Sequence, residues 1–206
     1  DIRLRSDSVA MTDLAWIDKS IPHSGAGRMD LVIRNDPRRL SIIDYVITNM
    51  DARALRSRIR GDMTWGVGGP TVRLTDVDLQ LEPAHTDLLR WFNGEPFPYD
   101  WQGALRGTVR ARGGYLREWQ LDDATVAFAD DHVPGAITRG RAAGRLDIYQ
   151  PAEAVLKGVD VAIDQLDLRT PRFVNPLFPE LNGILRGTLR LDSLWYDARF
   201  SQADLE

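Results

Sequence analysis

Gly103-Ala104-Leu105-Arg106-Gly107-Thr108-Val109-Arg110 returns later in the chain as Gly183-Ile184-Leu185-Arg186-Gly187-Thr188-Leu189-Arg190. Within each copy aliphatic and polar residues alternate at period two. In an extended backbone Leu105 and Val109 therefore point to one face, and Arg106, Thr108 and Arg110 to the other. That is a one-sided strand, and its recurrence predicts a fold made by repeating it.

The same logic extends outward. Ala143-Gly144-Arg145-Leu146-Asp147 echoes Ala26-Gly27-Arg28-Met29-Asp30, and the run Asp44 to Arg53 lines up with Asp160 to Arg169. Each unit is a two-strand element. Units opening near Gly27, Gly61, Gly107, Gly144 and Gly187 predict about ten antiparallel strands joined as hairpins in series. Turn residues fall between the alternating runs at Asn35-Asp36-Pro37, Gly66-Val67-Gly68-Gly69-Pro70, Gly113-Gly114 and Gln150-Pro151. Apolar parity slips by one between Leu74 and Val77, and again between Ile163 and Leu166. A β-bulge at each slip restores the facing and adds bend and twist. The expected fold is all-β: one continuous curled antiparallel sheet over residues 1–206, enclosing an elongated hydrophobic groove. A short helical turn is expected near 86–92, with Thr86 as its N-cap. The Pro-rich and aromatic stretches Pro96 to Trp101 and Phe173 to Pro179 fit plugs over a sheet end, or contacts with a partner or membrane.

Composition narrows the function. The 206 residues are 43% hydrophobic and 27% charged with no cysteine, which rules out disorder, collagen and disulfide scaffolds. No segment approaches the roughly 20 consecutive apolar residues of a membrane-spanning helix. Thirty acidic against 26 basic residues, interleaved throughout, give no electrostatic grip on nucleic acid. Twenty-four of the basic residues are arginine, able to grip carboxylates and phosphates in two-pronged fashion. Alternation is already under way at Ile2-Arg3-Leu4-Arg5, so the chain reads as a piece of a longer protein.

Catalytic patterns are not found in the sequence. His23, His85 and His132 lie far apart and read as surface residues, and Asp130-Asp131-His132 and Asp122-Asp123 read as solvated turns. There is no nucleophile elbow or phosphate loop, so the expectation is a non-enzyme without metal or cofactor.

The run Val161 to Leu168, followed by Pro176-Leu177-Phe178-Pro179-Glu180-Leu181-Asn182-Gly183-Ile184-Leu185-Arg186-Gly187-Thr188-Leu189-Arg190-Leu191, resembles the AsmA-like and TamB family. In that family a strand of Asp-flanked aliphatics leads through a Pro- and Leu-rich link to a Leu-x-Gly-x-Leu strand. The segment from Trp91 to Trp101 is longer than the usual link, and the family's N-terminal anchor has no counterpart in this sequence. The resemblance implies a periplasmic β-groove, anchored to the inner membrane, that carries phospholipid between inner and outer membranes. It also implies partnership with an outer-membrane barrel-assembly protein. Ile2, Leu4, Met29, Leu31, Ile33, Leu105, Val109, Leu146, Ile148, Leu185, Leu189 and Leu191 are the expected groove lining, with phospholipid acyl chains as the partner. Two rival readings are a scaffold that hands strands to an outer-membrane assembly machine through open sheet edges, and a sandwich whose second sheet fills the groove.

Overall fold

The computed structural model describes residues 2–14, 24–35, 43–67, 73–88, 102–113, 119–150, 153–174, 176–192 and 200–206. Most of these are strand: β1 (Ile2–Ala10), β2 (Ala26–Asn35), β3 (Ile43–Ala54), β4 (Ser57–Val67), β5 (Arg73–His85) and β6 (Gly103–Gly113). β7 (Trp119–Asp130), β8 (Ile137–Gln150), β9 (Glu153–Asp167), β10 (Ile184–Leu191) and β11 (Phe200–Leu205) complete the set. They form one eleven-stranded sheet in strict sequence order, each strand antiparallel to the next. The count exceeds the expected ten by one, because β1 pairs ahead of the first glycine-marked unit. Among the described residues the helical pieces are short, at Met11–Leu14, at 86–88 and at Pro171–Val174. The remainder of the expected turn at 86–92, the stretch Pro96 to Trp101, and the turn residues 36–37, 68–70, 114 and 151 lie outside the described residues.

The sheet is curled and not closed, since β1 and β11 each keep an unpaired edge. Local geometry explains the curl. Every one of the ten strand pairs carries a register shift, and each such shift adds bend and twist. The slip between Leu74 and Val77 is one of them, with Thr75 as the extra residue between the pairs Trp65–Leu74 and Thr64–Asp76. The slip after Ile163 is another, between the pairs Gly187–Ile163 and Leu185–Leu166.

The repeat is visible in the backbone. Gly107 on β6 and Gly187 on β10 share a φ of 138°, and Gly61 on β4 has 133°. A Cβ at any of the three would lie 2.0 Å from a carbonyl oxygen of the next strand. Only glycine permits that conformation and that approach. The glycines that mark the sequence units are thus the points where neighbouring strands close in on each other.

Candidate functional site

Register assigns the two faces. Leu4 stands opposite Leu31, Leu31 opposite Ile47, Ile47 opposite Met63, Met63 opposite Val77, Val77 opposite Ala111, and Ala111 opposite Leu121. Cross-strand partners share a face, so this is one apolar row running across the strands. A second row runs Met50, Gly61, Leu79, Val109, Ala124, Ala142, Val161, Leu189 and Ala203. A third, through Leu81, Gly107, Val126, Gly140, Ile163 and Gly187, alternates glycine with larger aliphatics. Bulges keep these rows in phase. At Asn49, where φ is 54°, the extra residue of β3 puts Ile47 and Met50 on the same side. Its amide donates to Asp62 and its side chain to Asp30, both at 2.8 Å.

By backbone register eleven of the twelve residues named from the sequence share this face; the side chain of the twelfth, Ile148, lies outside the described ones. Ile2 and Leu4 are on β1, Met29, Leu31 and Ile33 on β2, Leu105 and Val109 on β6, Leu146 on β8, and Leu185, Leu189 and Leu191 on β10. The sequence reading missed the small residues between them. Ala124, Ala142 and Gly140 give the floor its depth, and with Val126, Phe128 and Val161 they border an almost wholly apolar concavity of about 200 Å³. Burial alternates with the faces: along β10 Leu185, Leu189 and Leu191 are half-buried, and Ile184, Arg186, Thr188 and Arg190 on the other face are exposed. Ten spacings of about 4.8 Å make the apolar face roughly 48 Å long.

The opposite face is polar. Arg28, Asp51, Arg60, Gln80, Thr108, Thr125 and Arg141 follow one another across it. Arg58 forks onto Asp51 at 2.8 and 2.7 Å, and these bonds hold the Asp51 carboxyl down at about 2. Arg60 pairs with Glu82 and Lys157 with Asp147.

One rim is closed by hydrogen bonds that no sequence spacing announced. His85, read from sequence as a surface residue, is only 5% exposed. Its Nε2 lies 3.0 Å from Asp131, its amide donates to Ser57 Oγ at 2.8 Å, and its Nδ1 accepts from the Asp87 amide at 3.2 Å. Thr86 is not an N-cap: at 1% exposure its hydroxyl accepts from the Gly103 amide at 3.1 Å and donates to the Gly103 carbonyl. Asp130 is likewise buried, its carboxylate capping the His132 amide at 2.8 Å, and His132 stacks on Phe173 with ring centres 4.2 Å apart. Further along, Arg169 grips Asp167 at 2.8 and 2.6 Å and lowers its pKa, chiefly through those side-chain hydrogen bonds. These contacts tie the β3–β4 turn, the end of β5, the ends of β6 and β7 and the link before β10 into one border. His23 lies outside the described residues.

Among the described residues, no group of three or more His, Asp or Glu is placed to hold a metal ion, and no helix is long and apolar enough to cross a membrane. Compared with protein-family models, curated proteins and solved structures, the chain matches none.

Proposed function

We propose that this chain is a segment of a lipid conduit of the cell envelope, a non-enzymatic β-groove along which phospholipid acyl chains pass between the inner and outer membranes. The observation that carries this reading is the single apolar face, continuous from β1 to β11 and bordered by polar residues. A methylene leaving water for such a surface gains about 0.8 kcal/mol. Movement along the groove exchanges one aliphatic contact for an equivalent one, so the chain slides without a deep trap. No polar recognition pocket is needed, and the lining residues Leu31, Val109 and Leu189 are interchangeable in chemistry. The two open edges favour a second reading, in which β1 or β11 accepts strands of an outer-membrane protein during barrel assembly.

Native mass spectrometry of the gently purified chain separates the two. Adducts of phospholipid mass are the result the conduit requires. Capture of strand peptides by a chain that carries no lipid would replace the conduit with the assembly scaffold.

A further inference from the structure

Seven large apolar residues are exposed among the described residues, and they fall in two places. Ile2, Leu4 and Leu205 lie on β1 and β11, where the sheet simply lacks a neighbouring strand. Ile137, Leu177, Leu181 and Ile184 do not: Ile137 and Ile184 begin β8 and β10 at one rim, Leu177 and Leu181 lie in the link that leads into β10, and Leu177 is 92% exposed. Parity puts Ile137 and Ile184 on the polar face, away from the groove, so the groove does not account for them.

The residues behind this lip are basic. Two positions deeper along the same strands, about 6.6 Å at strand rise, come Arg139 and Arg186. Arg106 joins that level through the pairs Arg106–Ala127 and Ala127–Arg139. Arg106 and Arg186 form no ion pair among the described residues, and Arg139 bonds only the neutral Gln165, at 2.8 Å. Of the acids at this rim, Asp167 is held by Arg169 and Glu180 by Arg172, each at 2.6 Å, Asp131 lies 3.0 Å from His85 and 4.0 Å from Arg56, and Asp130 is buried. Glu206 and Asp164 stand at the deeper level against its three guanidiniums. We infer that this lip docks on an anionic phospholipid surface, with Leu177, Leu181, Ile137 and Ile184 entering the acyl boundary and Arg106, Arg139 and Arg186 meeting the phosphates. An apolar tip with guanidiniums one step behind matches the layering of a bilayer interface, and arginine suits phosphate. The inference goes beyond the conduit reading: it concerns the other face and a bilayer instead of a single acyl chain.

The test is flotation of the full chain with vesicles of equal parts phosphatidylcholine and phosphatidylglycerol, and with phosphatidylcholine alone. The wild type should float with the mixed vesicles, and Leu177→Glu should lower the bound fraction at least about tenfold with an unchanged circular-dichroism spectrum. Arg106→Gln with Arg186→Gln should weaken binding to the mixed vesicles only. A wild-type chain that stays unbound with both compositions, or a Leu177→Glu chain that floats like wild type, overturns the inference. Leu189→Asp, on the groove face, should float normally, so loss of the conduit and loss of the docking lip register in different assays.

Discussion

On the inner face at mid-sheet the best-covered residues are Ala111, Ala124, Phe128 and Val159; along the rim they are Ala136 and the polar Ser57, His85, Thr86, Asp130, Asp167 and Thr170. The floor covers small and apolar groups, and most of its larger aliphatics stay only half-buried. The rim covers mostly polar groups and joins most of those by hydrogen bonds. Among the described residues the sheet is a single layer with no second one against its oily face, so the order that a core would supply has to come from elsewhere. Here it comes from the border and from backbone closeness at the glycines.

That contrast can be broken at the glycines first. Gly107→Ala places a methyl where a carbonyl oxygen lies 2.0 Å away, at a φ of 138°. It should cost about 3 kcal/mol or more, seen as a large fall in the urea midpoint. Gly187→Ala, with the same geometry next to the short edge strand β11, should cost less. Equal and small losses at both sites would mean that the close approaches do not hold the curl.

A second, smaller effect belongs to the rim. Thr86→Val keeps the shape but strands the Gly103 amide and carbonyl, and should cost about 2 kcal/mol in chemical denaturation. If the rim fixes the border, hydrogen exchange should quicken at Gly103 and Asp131 while the β8–β9 amides keep their protection.

The smallest effect is electrostatic. Asp51 titrates at about 2 in the folded chain, below its ordinary 3.8, because Arg58 bonds its charged form. A depressed carboxylate pKa means that the unfolded chain takes up the proton first. The pair's stabilisation is therefore complete above the ordinary value and is lost as pH falls toward about 2. Acid unfolding of the wild type should steepen across that window, and Arg58→Gln should flatten it, modestly for so open a pair.

The sequence made the faces legible and left the border hidden, for physical reasons. Alternation reports which way a strand residue points, and parity slips at Leu74–Val77 and Ile163–Leu166 mark bulges because two apolar residues fall out of step. Gly107 and Gly187 were visible as repeats, although a glycine in a strand does not by itself reveal the carbonyl it approaches. Ala124 and Ala142 were missed as floor because alanine carries little facing signal. His85 and Thr86 were misread because their partners Ser57, Asp131 and Gly103 come from other hairpins or turns, at separations no local pattern encodes; Asp130 bonds the His132 amide only two residues on, and what the sequence hid there is its burial. Leu177 and its neighbours were legible as a Pro- and Leu-rich link, whereas the outer-face position of Ile137 and Ile184 required the register.

The claim that the apolar face is open to guests is tested most directly by weighing the intact chain with its bound lipid after substitutions at adjacent positions on opposite faces. Leu189→Asp, on the inner face, should abolish the phospholipid adducts in native mass spectra, and Thr188→Asp, on the outer face, should leave them in place. Equal retention or equal loss in the two variants would contradict the account.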